Sequence, residues 1–173
     1  VNFADYDWNG DGECEMVTVI YAGYGEAQSN NSQNIWPHQW FLSDCHDYNY
    51  NDGPGALDFD GIRVNKYLVL NDLNGSYGSV IDGIGTFCHE FGHSLDRPDI
   101  YDVNYINFGM NVWSIMDRGC YNANGSVPCG YTAYERKFCG WLEPMVLSEG
   151  TTVTDMPAID DEPVAYIVYN DAV

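Results

Sequence analysis

Apolar residues at Ile81, Ile84, Cys88, Phe91 and Leu95 recur at spacings of three, four, three and four, the period that a helix gathers onto one face. The pattern predicts a helix from about Ser79 to Leu95 with one buried stripe, stopped by Pro98. Gly83, Gly85 and Gly92 lie within it, and each glycine costs helix propensity of about 1 kcal/mol relative to alanine. Their presence predicts that another part of the chain packs very close to this helix's backbone. Any fold for the chain is built around that contact.

The helix carries His89-Glu90-Phe91-Gly92-His93. Residues four apart on a helix share a face, so both imidazoles reach one ion, while Glu90, one step round, reaches a water beside it. With four His in 173 residues, chance composition gives this pattern in about 0.4% of such chains, so coincidence explains it poorly. A catalytic zinc takes three protein ligands and keeps a place for water. A glutamate from a following helix is one route to the third ligand, but the next glutamate after Glu90 is Glu135. An aspartate is therefore favoured. Asp99 stands beyond the break at Pro98, where the pattern H-E-x-x-H-x-x-G-x-x-H/D has its last ligand; Asp102 and Asp96 are the alternatives.

The rest of the chain supports a folded domain. At 45% hydrophobic and 15% aromatic, it has side chains enough for a core. Twenty-six Asp and Glu against six Lys and Arg give a net charge of −20, which repels nucleic acid and anionic membrane surfaces and makes cations the natural small partners. No apolar stretch approaches the roughly 18 residues that span a bilayer. The chain opens Val1-Asn2-Phe3 without an initiator Met or signal peptide and reads as a mature or trimmed piece. No repeat, linker or composition break divides it, so 1–173 is expected to be a single domain. Strands are predicted over Met16–Tyr21, Ile62–Leu70 and Val164–Tyr169, and a short helix over Thr132–Phe138. These elements make an α+β fold.

Asp7-Trp8-Asn9-Gly10-Asp11-Gly12-Glu13-Cys14-Glu15 sets oxygen donors at loop positions 1, 3, 5, 7 and 9 with Gly at 6. Such a ring suits Ca²⁺, with Asp7, Asn9, Asp11, Glu13 and Glu15 as ligands, although position 12 lacks the glutamate of an EF-hand. The competing reading is a hairpin turn, since Asn-Gly and Asp-Gly are ordinary turn pairs. Among the six cysteines, Cys120 and Cys129 bracket a polar loop and are candidates for a staple, whereas Cys88 reads as a buried free thiol. His46 reads as a solvated loop residue, and Glu135 and Arg136 as an ion pair or a structural hydrogen-bond anchor.

The segment His89 to Asp102, read as His-Glu-Phe-Gly-His-Ser-Leu-Asp-Arg-Pro-Asp-Ile-Tyr-Asp, resembles the active-site signature of the immune inhibitor A type of secreted bacterial metalloproteases. The likeness extends to the Asn-Gly-Asp-Gly loop, Ile35-Trp36-Pro37-His38, Asp60-Gly61-Ile62, Trp113-Ser114-Ile115-Met116-Asp117, Ala133-Tyr134-Glu135-Arg136 and Gly140-Trp141-Leu142. The resemblance implies a metzincin-like zinc endopeptidase catalytic domain with a twisted sheet and active-site helix in about 1–95. In about 96–173 it implies the third ligand, the late helix and Met116 as the Met-turn under the metal. It also implies that the chain begins inside the family's catalytic domain, and that the protein is secreted or at the cell surface and acts on proteins or peptides.

By spacing alone, Met116 reads as core packing. Asp96 stands where the family usually has Gly, at a position expected to need a left-handed backbone, which Asp tolerates better than most residues. Tyr121 is a candidate donor to the tetrahedral oxyanion, with a packed loop tyrosine as the competing reading. His38 lies between Trp36 and Trp40, where the resemblance puts an edge strand that pairs with substrate; a structural aromatic cluster is the competing reading. Function narrows to a zinc endopeptidase with Glu90 as general base and acid. The alternative is an inactive, calcium- or metal-stabilised binding or adhesion module of the same fold.

Overall fold

The computed structural model describes residues 1–47, 53, 55–104 and 106–170, and the side chains of His46 and Asp47 lie outside that description. In chain order it runs β1 (Val17–Tyr24), α1 (Glu26–Ser29), β2 (His38–Phe41), α2 (Leu42–Asp47), β3 (Leu57–Phe59), β4 (Ile62–Val64), β5 (Lys66–Leu73), α3 (Ile84–Ser94), α4 (Ala133–Phe138), β6 (Met145–Val146) and β7 (Tyr166–Ile167). Short helices are interspersed among the strands in a mixed α+β arrangement.

β5 is the middle of a three-stranded sheet, parallel to β1 with Val19 opposite Val69, and antiparallel to β2 with His38 opposite Val69. Its alternate residues Leu68 and Leu70 are buried; removing each from water stabilises by about 1.5–3 kcal/mol. β2 is left as a sheet edge. α3 packs against β2, β5 and a single 3-10 turn at Arg118–Tyr121. A small core of Ile115, Met116 and Cys120 lies against it, with Cys88, Ile100, Cys129 and Tyr131 packed around.

The glycines of α3 behave as the sequence implies. A Cβ at Gly85 would overlap the Cys120 carbonyl, and one at Gly92 would overlap the Met116 thioether. That contact also overturns the expected apolar stripe. Gly85, Thr86, Glu90 and Gly92 form the buried face, while Ile84 and Phe91 are exposed. The helix begins at Ile84, not near Ser79, because Gly83 is extended and Ile81 bridges Leu73 of β5 instead.

Other boundaries shift for local reasons. The strand expected over Ile62–Leu70 is two strands split at Asn65. The carbonyl and side chain of Asn65 accept the Leu42 and Ser43 N–H groups at the start of α2, which takes Asn65 out of either ladder. β3 and β4 close a hairpin on Asp60-Gly61, both at positive φ, as a two-residue turn of primed type requires. The last strand shrinks from Val164–Tyr169 to Tyr166–Ile167, paired in parallel with β6. The short helix forms with Thr132 as its cap. His46 falls in α2, not in a loop. All six thiols are free, so the Cys120–Cys129 staple is not formed; Cys88 is free and half-buried.

Candidate metal centre

His89 and His93 project from α3 with ring centroids 4.9 Å apart and planes at 89°. Each is oriented from behind. His89 Nδ1 lies 2.8 Å from the Ile115 carbonyl and His93 Nδ1 lies 2.7 Å from the Arg97 carbonyl. A carbonyl only accepts, so both Nδ1 atoms carry the proton and the Nε2 atoms of neutral rings present lone pairs. Those Nε2 atoms meet Asp99 Oδ1 at 3.2 and 3.4 Å. Among the described residues, His89, His93 and Asp99 are the one group of three such side chains with ligand atoms all within 4.8 Å of each other.

The path to Asp99 depends on Asp96, whose φ of +59° swings the chain back after α3. Asp99 Oδ1 is buried and has no hydrogen-bond donor. Three lone pairs converging on one buried point repel unless positive charge sits among them. The protonation energetics carry the same demand. Burial opposes a charged His89, yet the Asp99 carboxylate and the Ile115 carbonyl push its pKa up to about 11. His93 is also raised, against burial, by Asp99 and the Arg97 carbonyl. Burial works against ionised Asp99 too, and the two histidines nevertheless hold it well below the usual carboxylate range. Two imidazole nitrogens and one carboxylate, each set by a partner behind it, fit a divalent transition ion such as zinc.

Glu90 is buried, and its Oε2 accepts the Gln39 N–H of β2 at 2.9 Å. Burial raises its pKa, against the lowering effect of His89, His93 and the Gln39 amide. Glu90 lines a hollow of about 500 Å³ together with the three metal-type side chains and the aromatic rings of Trp36, Trp40 and Tyr101. Beneath, Met116 is fully buried next to Gly92.

The remaining predicted residues are placed differently. Asp102 is turned into its own loop, accepting the N–H groups of Asn104, Ile106 and Asn107. Asp96 lines the hollow but does not join the group of three. Tyr121 is half-exposed at the end of the 3-10 turn and is not among the lining residues; burial, Cys120 and then Glu90 raise its pKa. His38 has both ring nitrogens engaged, with the Trp36 carbonyl at 2.7 Å and the Tyr67 hydroxyl at 3.1 Å.

In the acidic loop, Asp7 accepts the N–H groups of Gly10, Asp11 and Gly12, Glu15 accepts that of Trp8, and Glu13 pairs with Arg63. No three of the carboxylates of Asp7, Asp11, Glu13 and Glu15 converge within 4.8 Å, and Asn9 bonds to Asp11. Glu135 and Arg136 do not pair with each other. Arg136 pairs with Asp160, while Glu135 closes a capping box with Thr132. Sequence reasoning missed the roles of Gln39, Arg97 and Ser114 around the site. Only the Thr132-x-x-Glu135 capping pattern was there to flag this part of the structure.

Residues 2–141 match the family described as immune inhibitor A peptidase M6, catalytic domain. The chain belongs to this peptidase family. Immune inhibitor A of Bacillus thuringiensis subsp. alesti is 25% identical over 154 residues, covering 79% of this chain and 21% of that protein. Pre-pro-metalloprotease PrtV of Vibrio cholerae serotype O1 (strain M66-2) is 27% identical over 165 residues, covering 80% of this chain and 16% of that protein. The chain thus spans about a fifth or less of the length of these relatives. The family's peptidase chemistry is metal-dependent in the relative named a metalloprotease, and the His-His-Asp group is the fitting place for such a metal here. No described helix is long and apolar enough to cross a membrane.

Proposed function

We propose that this chain is the catalytic portion of a secreted zinc endopeptidase, with His89, His93 and Asp99 as ligands and Glu90 as general base and acid. The observation that carries the reading is the buried Asp99 Oδ1, which has no donor and faces two Nε2 lone pairs. Zinc, when bound, supplies Lewis acidity toward the scissile carbonyl and the attacking water. Glu90 takes the proton from that water and returns it to the leaving amine. Its burial favours uptake of the proton, and the Gln39 N–H keeps one oxygen fixed while the other is free to turn to the substrate. Trp36, Trp40 and Tyr101 wall the hollow and exclude bulk water from the reacting bond. β2, an open sheet edge beside the hollow, offers backbone groups to an extended peptide.

Met116, fully buried under α3, is read as the Met-turn, and Tyr121 as a donor to the oxyanion. Ca²⁺ in the acidic loop is supported by the curl that Asp7 imposes through three backbone N–H groups. Equilibrium dialysis at neutral pH is expected to retain that ion, and no retention rejects it. For the main reading, mass spectrometry of protein purified without added ions should find one zinc per chain, and cleavage of a denatured protein should stop with a chelator. Glu90→Gln should keep zinc and lose about 10²–10⁴-fold in rate. Zinc bound without any cleavage by the unaltered chain favours the binding-module alternative; no zinc removes the metal reading altogether.

A further inference from the structure

The carbonyls that orient the two histidines come from segments far apart in sequence, yet both segments are tied to one residue. Ile115, whose carbonyl accepts the His89 Nδ1–H hydrogen bond, is flanked by Ser114 and Met116. Ser114 is fully buried; its hydroxyl accepts the Met116 N–H at 3.1 Å and donates to Glu135 Oε1 at 3.2 Å. Arg97, whose carbonyl accepts the His93 Nδ1–H hydrogen bond, is only 2% exposed. Its guanidinium lies face-on to the Phe138 ring at 3.4 Å and donates through Nη1 to the Glu135 carbonyl at 3.3 Å. Glu135 is itself 1% exposed, and its second carboxylate oxygen accepts the Thr132 N–H at 2.6 Å, fixing the first turn of α4.

We propose that Glu135, at the first turn of α4, is a positioning residue for both imidazoles: its carboxylate holds the Ser114–Met116 segment behind His89, and its carbonyl holds Arg97 behind His93. A buried carboxylate that only capped a six-residue surface helix would gain little from burial. Here the residue joins, through its carboxylate to Ser114 and its backbone carbonyl to Arg97, the two segments whose carbonyls aim the rings. The inference deepens the metal-centre reading and rests on it for its consequence, although the ring orientation it describes belongs to the metal-free chain as well. Loss of such outer partners typically lowers metal affinity by about 10–100-fold.

The test uses the whole chain with ¹⁵N-labelled histidine. In the metal-free protein, ¹H–¹⁵N spectra report the Nδ1–H hydrogen bond of each ring, and chelator competition reports zinc affinity. Ser114→Ala is expected to weaken the Nδ1–H hydrogen bond of His89 alone, and Arg97→Met that of His93 alone. Glu135→Ala removes the carboxylate but leaves the backbone carbonyl, so it should disturb His89, spare His93 and weaken zinc binding by about 10–100-fold, with Glu135→Gln, which keeps one acceptor oxygen, falling between. Folded Glu135 variants with the His89 hydrogen bond and zinc affinity unchanged overturn the proposal, as does weakened zinc binding with both ring hydrogen bonds intact. Should Glu135→Ala fail to fold, the two single-branch variants decide: each moving its own histidine supports the proposal, and neither moving any overturns it. If the unaltered chain takes up no zinc, the metal reading fails, and the ring hydrogen bonds of the metal-free chain still decide this one.

Discussion

Replacing Gly85 by alanine tests the backbone contact on which α3 rests. On a free helix the change stabilises, by about 0.8–1 kcal/mol, through propensity. In this fold the new Cβ runs into the Cys120 carbonyl, with Gly125 Cα at 3.2 Å. Neither neighbour is the loose end of a side chain. The Gly85 N–H is bonded to the Gly125 carbonyl at 2.9 Å, and Gly119 is tied to Ser114 at 3.0 Å and to Cys129 at 3.2 Å, so the opposing segment cannot retreat cheaply. Overpacking typically costs about 1–3 kcal/mol; a clash with backbone belongs at the upper end, about 3 kcal/mol, so after the propensity gain a net loss of about 2 kcal/mol remains. Urea denaturation followed by circular dichroism should show the lower midpoint at unchanged slope. Gly92→Ala supplies the contrast on the same helix, since its Cβ meets the flexible Met116 thioether. Its stability loss should be smaller than that of Gly85→Ala. A Gly85→Ala chain as stable as the original, or more so, would refute the close-contact account of α3.

Unfolding in denaturant should release six thiols to a colorimetric reagent, because all six cysteines are free; a count of four would restore the Cys120–Cys129 bridge. Burial pushes the Cys129 thiol up to about 11, helped by the Glu135 charge, and burial likewise pushes the Tyr131 phenol up to about 12. Both groups stay neutral in the folded chain where the unfolded chain ionises. The stability they contribute is therefore complete below the ordinary thiol pKa near 9 and declines as pH rises from there through 12; urea midpoints at about pH 8 and pH 10.5 check the sign, and a flat profile rejects it. Thr132→Ala removes the hydroxyl that accepts the Glu135 N–H and should cost about 1 kcal/mol in the same assay; an unchanged midpoint would show that the cap contributes nothing.

The metal group was legible because its signals are local or nearly so. His89 and His93 share one helix, and Asp99 follows within a single loop whose bend is marked by Asp96 and Pro98. The glycines of α3 announced a close neighbour, but which face met it was hidden. A helix covered by backbone buries its small and polar side, so Ile84 and Phe91 were assigned to the wrong side by period alone. Asn65 looked like one residue of a continuous strand because its hydrogen bonds to Leu42 and Ser43 span the chain rather than the neighbourhood. The same holds for Glu135, whose partners Ser114 and Arg97 lie 21 and 38 residues away. The acidic loop is legible only as composition: that Asp7 and Asp11 accept the loop's own amide N–H groups and so curl it is not visible in the sequence.

Both ring-orienting carbonyls belong to residues made after α3, and their common anchor is made later still. A nascent chain that has extruded only the helix therefore shows a metal-seeking sequence without the scaffold that aims it. The two imidazoles are therefore aimed only late in synthesis, once α4 has docked behind them.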